Sequence, residues 1–388
     1  MLIGVPAETA TGERRVALVP ETVARLIKAG LQVSVQRGAG TPAAFTDDAY
    51  QKAGASLDDA AGIWSKADVV VKVQRPSADE LGSARAGSLL IGFLSTLGDP
   101  AYVDALAARK ITALSMDAIP RTTKAQSMDA LSSQSNIAGY KGALIAADRL
   151  PKFFPMLTTA AGTIPPAKVM VIGAGVAGLQ AIATARRLGA VVSAYDTRSV
   201  VKEQIQSLGA KFLEFDLGGD AEAKGGYAKE LSEEQIGKQR AWMVKTIAAN
   251  DAVVTTAAVP GRKAPIIITK EAVAAMAPGS VIVDLAAETG GNCELTVPGE
   301  IVTSPNGVTI VGTRNLPSTV ATNASQLYSR NVLTLLEYIV KDGALNLDMS
   351  DEIIAGTTIV NAGAIVRPAP TPTPTPTPIA DTPKGAGA

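Results

Sequence analysis

Lys168-Val-Met-Val-Ile-Gly-Ala-Gly-Val-Ala-Gly178 is the stretch that decides the fold of this 388-residue chain. Five residues with the composition of a strand lead directly into three closely spaced glycines. Residues 179–188 have the composition of a helix, residues 191–195 have that of a second strand, and Asp196 follows directly. A strand, a glycine-rich turn, a helix and an acid about 20 residues further on together predict a dinucleotide-binding βαβ unit. The alternative is an ordinary strand-to-helix turn whose glycines only permit close packing.

The three glycines have different predicted roles. Gly173 permits the tight turn, Gly175 lets the backbone approach a pyrophosphate, and Gly178 lets the helix pack closely on the strand. The N-terminal N–H groups of the helix would face the phosphates. Asp196 can accept hydrogen bonds from both ribose hydroxyls and would repel a 2′-phosphate, which favours NAD over NADP; Arg198 nearby argues the other way.

Composition excludes several classes of function. Lys plus Arg and Asp plus Glu are equal at 36 each, and aromatic residues make up only 4% of the chain, so nucleic acid is not the expected partner. With no histidine, the chain cannot use imidazole as an acid, a base or a metal ligand. Cys293 stands alone, which excludes an intramolecular disulfide and the usual zinc sites. We therefore predict no metal site and a reducing compartment.

The chain carries no predicted export signal or membrane span. Its first residues lack a basic region followed by an apolar one. The apolar run at residues 169–185 contains the three glycines and is slightly short to cross a bilayer. A strand followed by a helix explains this run better.

Alternating strands and helices predict an α/β protein with two Rossmann-like, doubly wound parallel-sheet domains and a cleft between them. We place a discontinuous first domain at 1–137 and 319–367 and the NAD-binding domain at 138–318. The helix predicted at 321–340 would return to the first domain. Residues 368–388, rich in Pro and Thr, are predicted to be an extended tail, acting either as a tether or as a disordered end without a role.

A second polar cluster covers residues 121–140. Gln126, Asp129 and Ser132 are spaced at i, i+3 and i+6, so they share one face if the segment is helical. An amide, a carboxylate and a hydroxyl suit a ring that bears a carboxamide, and Arg121 would balance Asp129. The alternative, an N-terminal capping region of a long helix, is equally compatible with the spacing.

Several motifs together resemble the NAD(H)-binding subunits of proton-translocating transhydrogenases, in the alanine dehydrogenase/transhydrogenase family. The resemblance extends from residue 1 to about residue 368. The stretches that carry it are residues 14–20, 72–76, 121–140, 158–166, 226–230 and 284–293.

The resemblance implies a subunit that binds NAD(H) in its cleft and transfers hydride directly to NADP bound on a separate NADP(H)-binding subunit. A membrane-spanning subunit would couple this transfer to proton movement. The chain would be a homodimer, docked peripherally at the cytoplasmic face of the cell membrane. Tyr227 would lie on a mobile loop that folds over the nucleotide.

The resemblance also completes the set of predicted site residues. The four predicted catalytic residues, grouped around the nicotinamide, are Arg121, Gln126, Asp129 and Ser132. The predicted cofactor-binding residues are Gly173, Gly175, Val176, Ala177, Gly178, Asp196, Thr197, Arg198, Tyr227, Thr256 and Ala257.

Alanine dehydrogenase is the nearest alternative, and there Arg15 and Lys72 would hold the substrate carboxylate and carbonyl. That family also uses a histidine at a strand end, where this chain has residues 93–98 without one, and an aspartate where this chain has Glu288. Oxidising an amine requires proton transfers at the substrate, whereas hydride transfer between two nicotinamides does not. Arg15 and Lys72 are therefore predicted to form structural ion pairs. A non-catalytic NAD-sensing module is a further alternative.

Overall fold

The computed structural model describes residues 1–97, 99–215, 233–258 and 263–366. Two large β-sheets, each covered by helices, form two domains with separate apolar cores. The predicted α/β class with two mostly parallel sheets is confirmed.

The first domain is built on an eight-stranded sheet with the spatial order β19-β18-β6-β5-β4-β1-β2-β3. Its strands are β1 (Leu2–Val5), β2 (Gln32–Gln36), β3 (Ser56–Asp58), β4 (Val69–Gln74), β5 (Leu89–Phe93), β6 (Thr112–Ser115), β18 (Thr358–Asn361) and β19 (Ala364–Ile365). Its helices are α1 (Pro20–Lys28), α2 (Asp47–Lys52), α3 (Ala60–Lys66), α4 (Ala78–Ser83), α5 (Pro100–Ala108), α11 (Ala321–Ile339) and α12 (Glu352–Thr357).

The end of the described chain returns to this first sheet, as predicted. Strand β18 pairs antiparallel with β6, and β19 pairs antiparallel with β18, whereas the strands from β1 to β6 pair in parallel. The buried face of α11, including Tyr328 and Leu336, packs in the same core as Ile3 and Val71. The first domain is therefore discontinuous in sequence.

The second domain has a seven-stranded sheet with the order β11-β10-β9-β12-β13-β15-β14. Its strands are β9 (Lys168–Ile172), β10 (Val191–Tyr195), β11 (Lys211–Phe212), β12 (Ala252–Thr255), β13 (Val281–Asp284), β14 (Ile301–Thr303) and β15 (Thr309–Val311). Its helices are α7 (Val176–Arg187), α8 (Lys202–Ser207), α9 (Glu233–Ala248) and α10 (Lys270–Ala275). Only the edge strand β14 runs antiparallel to its neighbour among these described strands.

One long helix, α6 (Ala130–Arg149), belongs to both domains. Near its start, Gln134 is buried and donates to the carbonyl of Ala324 in the first domain. Further along, Ala143 and Ala146 are fully buried in the core of the second domain. The predicted boundary at 137/138 therefore falls inside a continuous helix. Helix α6 connects the two domains directly.

Two hairpins of the described chain stand outside the large sheets: β7 (Leu157–Thr159) with β8 (Gly162–Ile164), and β16 (Val340–Lys341) with β17 (Ala344–Leu345). No helix in the described ranges is long and apolar enough to cross a membrane. The predicted Pro/Thr-rich tail at 368–388 lies outside the described residues.

Candidate functional site

A cleft of about 1480 Å³ lies between the two domains, at the carboxyl ends of β9, β10 and β12. This is where ligands bind in open α/β sheets, because the strand order changes direction there. Most of the predicted site residues line this one cleft: Arg121, Gln126, Asp129, Ser132, Gly173, Gly175, Val176, Ala177, Asp196, Thr197, Arg198, Thr256 and Ala257.

The glycine-rich turn explains why each of its three glycines is present. Gly173 has a φ of 91°, which side chains rarely adopt. A Cβ atom on Gly178 would lie 1.8 Å from the carbonyl oxygen of Gly173, so helix and strand could not approach this closely. Gly175 is different, since its φ of −77° suits any residue and a Cβ there would meet no atom within 4 Å. Neither backbone conformation nor packing within the chain requires glycine at 175. Its lack of a side chain instead leaves open space at the cleft, where a pyrophosphate could approach the backbone.

The N-terminus of α7 faces the cleft, and among the described residues no side chain caps its first N–H groups. Its N-cap, Gly175, has no side chain to accept hydrogen bonds from the first turn, and that turn contains no acidic residue. The first N–H groups of a helix lack intrahelical partners and carry partial positive charge. This end of the cleft is therefore suited to an anionic group.

Asp196 lies next to this turn at the end of β10. Its Oδ2 accepts a hydrogen bond from the backbone N–H of Ala174 at 2.7 Å. Arg198 donates from Nε to Oδ1 at 3.0 Å and from Nη2 to Oδ2 at 2.9 Å. Burial alone would raise the pKa of Asp196, but these hydrogen bonds together hold it below its ordinary value. The carboxylate is ionised, and Arg198 is already engaged by it instead of being free to bind a phosphate.

The polar cluster of the first domain is not one helical face, contrary to the first of the two sequence interpretations. A short 3₁₀ helix covers Thr123–Met128, and α6 begins only after Asp129. Asp129 is the N-cap of α6, since its carboxylate accepts hydrogen bonds from the backbone N–H of Ser132 at 2.9 Å and from its hydroxyl at 2.6 Å. Arg121, predicted to balance the charge of Asp129, makes no ion pair with it among the described residues.

Arg121 and Gln126 differ in their contacts from Asp129 and Ser132, which form the N-terminal cap of α6. Both side chains are exposed and line the cleft. Within the described ranges, neither side chain makes a hydrogen bond or an ion pair. Polar groups that face a cleft without partners in the protein are available to a ligand. Asp129 and Ser132 instead fix the end of α6 beside them.

Sequence reasoning missed a buried clamp below the cleft. Asn292 is fully buried, accepts from the N–H of Ala257 at 3.0 Å, and donates to the carbonyls of Ala257 and Pro265 at 2.7 and 2.9 Å. Asp284, also fully buried, accepts from the N–H groups of Asn292 and Cys293. Two cleft-lining backbone segments thus depend on one amide. The only sequence signal was that both residues lie in the motif at 284–293.

Arg15 and Lys72 are engaged in buried ion pairs, as predicted. Arg15 donates to both carboxylate oxygens of Glu13, at 2.8 and 2.6 Å. Lys72 donates to Glu80 at 2.6 Å, and Glu8 lies 3.8 Å away. Neither Arg15 nor Lys72 lines the cleft.

Two carboxyl groups of this cluster have opposite pKa shifts. Burial raises the pKa of Glu8 to about 7, since the charge of Lys72 and two backbone N–H groups only partly oppose it. Burial acts on Glu13 as well, but the hydrogen bonds and charge of Arg15 outweigh it and lower the pKa to about 2. The cluster therefore holds one carboxylate firmly ionised and another largely protonated below neutral pH.

Three further sequence predictions concern single positions or ions. Tyr227 lies outside the described residues. Cys293 is buried, and this burial raises the pKa of its thiol to about 11, so the thiol is unreactive. Within residues 1–97, 99–215, 233–258 and 263–366, no three His, Cys, Asp or Glu side chains are grouped to hold a metal ion.

Comparison with known proteins assigns both domains to one family. Residues 4–138 match the family described as "Alanine dehydrogenase/PNT, N-terminal domain", and residues 142–368 match "Alanine dehydrogenase/PNT, C-terminal domain". Among curated proteins, the chain is 49% identical over 379 residues to the first portion of the NAD(P) transhydrogenase subunit alpha of Rhodospirillum rubrum, covering 95% of this chain and 98% of that protein.

Solved structures agree with this assignment. A transhydrogenase from Sinorhizobium meliloti is similar with a TM-score of 0.84 and 42% identity, covering 95% of this chain and all of that one. An L-alanine dehydrogenase is similar with a TM-score of 0.80 and 27% identity, covering 95% and 98%. The chain belongs to the alanine dehydrogenase/PNT family and, within it, to the NAD(P) transhydrogenase alpha subunits.

Proposed function

We propose that this chain binds NAD(H) in the interdomain cleft and presents the nicotinamide for direct hydride transfer to NADP⁺ on a separate subunit. The observation that carries the proposal is the cleft itself. It joins a glycine-rich turn with an open position at Gly175 to a polar group, Arg121 and Gln126, whose side chains have no partners in the described protein.

Different residues along the cleft bind different parts of NAD(H). The N–H groups at the start of α7 hold the pyrophosphate, and Asp196 accepts from the adenosine ribose. Gln126 and Arg121 hold the carboxamide end, and Asp129 and Ser132 fix the helix beside it. Thr256 and Ala257, on the loop held by Asn292, close the side of the cleft between the two ends.

Bound NADH supplies the hydride from its nicotinamide C4. Direct transfer to a second nicotinamide needs no proton transfer at the reacting carbons, so the chain contributes orientation, with reacting atoms about 3–3.5 Å apart. The chain has no histidine, and both Arg15 and Lys72 are committed to buried carboxylates. These facts disfavour the alanine dehydrogenase-like alternative, which requires proton transfer at its substrate.

The family assignment supports a proposal about the partners. We propose an NADP(H)-binding subunit that covers the nicotinamide end of the cleft, and a membrane-spanning subunit that couples the transfer to proton translocation. The chain would then sit peripherally at the cytoplasmic face of the cell membrane.

We also propose a homodimer. The hairpin β7–β8 pairs with neither large sheet, and a two-stranded hairpin alone is marginally stable in water. Phe153, Met156 and Ile164, on and beside it, are 52%, 62% and 47% exposed. A second copy would cover this apolar surface. Light scattering of the purified chain tests this: Met156→Glu should shift a dimer toward monomer, and a monomeric parent chain would refute the proposal.

The deciding experiment mixes the purified chain with an NADP(H)-binding subunit and follows reduction of an NAD analogue by NADPH. In parallel, the chain alone is given pyruvate, ammonia and NADH. We expect transfer in the first assay and none in the second. Turnover of pyruvate by the chain alone would establish the alanine dehydrogenase alternative. NAD(H) binding without either reaction would favour the NAD-sensing module.

A further inference from the structure

Helices α6 and α7 begin at opposite ends of the cleft and contact each other between those ends. Helix α6 begins at the Asp129–Ser132 cap, beside the proposed nicotinamide end. Helix α7 begins at Gly175, the proposed pyrophosphate end. The two helices pack against each other where Gly139 faces Ala177.

The approach at this point is too close for any side chain. A Cβ atom on Gly139 would lie 2.0 Å from the carbonyl oxygen of Ala177, 2.8 Å from its carbonyl carbon and 3.0 Å from its Cα. All three atoms are backbone, so no side-chain rotation relieves the clash. Ala177 is the second residue of α7 and lines the cleft.

Helix α6 is itself fixed to the first domain ahead of this contact. Gln134 accepts from Arg15 at 2.8 Å and donates to the carbonyl of Ala324 at 3.1 Å, and Ser133 donates to Asn331 at 2.8 Å. The helix therefore cannot slide freely to accommodate an added atom at Gly139.

We propose that Gly139 is a positioning residue that sets the separation between the pyrophosphate-binding turn and the nicotinamide-binding group. This inference rests on the proposed function. An atom-to-atom contact of less than 3.0 Å is essentially never seen for a real Cβ, so Gly139→Ala must increase the separation of α6 and α7 at this point by about 1 Å. A misplacement of about 1 Å can lower a reaction rate about 100-fold.

The matched control is Gly142, one turn further along the same helix. A Cβ there would first meet the Cδ2 atom of Leu285 at 3.0 Å, which is the end of a flexible side chain. Gly142→Ala makes the same chemical change in the same helix without pressing on the backbone of the glycine-rich turn.

The test compares two ligands, NADH and ADP-ribose, the second of which has the pyrophosphate but no nicotinamide. For Gly139→Ala we expect hydride transfer at saturating NADH to fall about 100-fold. The ratio of the two dissociation constants should change, because only NADH must reach both ends of the cleft. Gly142→Ala should leave rate and ratio within about two-fold of the parent chain. Equal weakening of both ligands, or an unchanged rate with a folded Gly139→Ala variant, would overturn the proposal.

A measurement on the natural chain covers the case in which Gly139→Ala does not fold. ADP lacks both the second ribose and the nicotinamide, yet its binding at α7 should slow amide hydrogen exchange at residues 130–139 of α6 through the Gly139–Ala177 contact. Protection confined to residues 173–179 would overturn the proposal. If the parent chain fails to transfer hydride to an NADP(H)-binding subunit, the proposed function fails, whereas the affinity ratio and the exchange pattern still decide the role of Gly139.

Discussion

Two polar clusters of the first domain, one buried and one lining the cleft, have opposite organisation. In the buried cluster, Arg15 donates to Glu13 and Gln134, and Lys72 donates to Glu80. In the cleft cluster, Arg121 and its neighbour Gln126 are exposed and make no side-chain hydrogen bond within the described ranges.

The difference teaches that residue type does not identify a ligand site. An arginine whose guanidinium already binds a carboxylate of the chain is not available to a substrate carboxylate. It stabilises the fold instead. An arginine that faces a cleft without a partner is available to a ligand. Substitutions should therefore act on stability in the buried cluster and on ligand chemistry in the cleft.

The largest effect on stability is expected for Arg15→Met. This change leaves the buried carboxylate of Glu13 without its cationic partner, which should lower the free energy of unfolding by roughly 3–5 kcal/mol. Urea unfolding measures the loss. Arg14→Met, at the exposed neighbouring position, is the control and should change stability little. A loss below about 1 kcal/mol for Arg15→Met would contradict a structural role for this ion pair.

A smaller effect, dependent on pH, is expected for Glu8. Its pKa in the folded chain, raised by burial from 4.5 to about 7, means that the folded state holds a proton that the unfolded state releases. The resulting stabilisation is fully present below about pH 4.5 and is lost as pH rises through about 7, a change of roughly 3 kcal/mol. Glu8→Gln should remove this dependence.

Urea unfolding of both chains at pH 5 and pH 8 tests this. The stability of Glu8→Gln relative to the parent chain should rise between the two values. The same difference at both values would show that Glu8 titrates normally in the folded chain.

The smallest of these effects concerns Asp196 in the cleft. Asp196→Asn removes the charge that accepts from the ribose, and the dissociation constant for NADH should rise about 10-fold, as expected for loss of a charge-assisted hydrogen bond. Discrimination against NADPH should weaken as well. Arg187→Gln is the control, since Arg187 is an exposed residue at the far end of α7, lies outside the cleft and should not affect NADH binding. Titration calorimetry measures the dissociation constants of the parent chain and of both variants. Unchanged NADH affinity in Asp196→Asn would refute ribose recognition by this residue.

Much of the fold could be predicted because its strands are short apolar runs separated by helices. The bounds of β9 and β10 are as predicted, and the helix predicted at 321–340 is observed as α11. Several short helices and the antiparallel edge strands were not predicted, because they depend on tertiary contacts more than on local pattern. The pairing of β18 with β6, for example, joins residues more than 240 positions apart.

The candidate site was predictable where local pattern determines it and not elsewhere. The glycine-rich turn and Asp196 follow from spacing within one βαβ unit. Spacing alone left the segment from Gln126 to Ser132 open between a helical face and a cap, and the break at Asp129 decides for the cap. The side chain of Asn292 binds backbone carbonyls 35 and 27 residues earlier in the chain. No local sequence pattern predicts contacts over such separations.

The most direct test of the central claim, that the cleft positions nicotinamide for hydride transfer, uses Gln126→Asn. The change shortens the amide side chain by one methylene and keeps its chemistry. With an NADP(H)-binding subunit present, single-turnover hydride transfer at saturating NADH should fall about 100-fold, while the dissociation constant for NADH stays within about three-fold. An unchanged transfer rate together with lost NADH binding would contradict the claim.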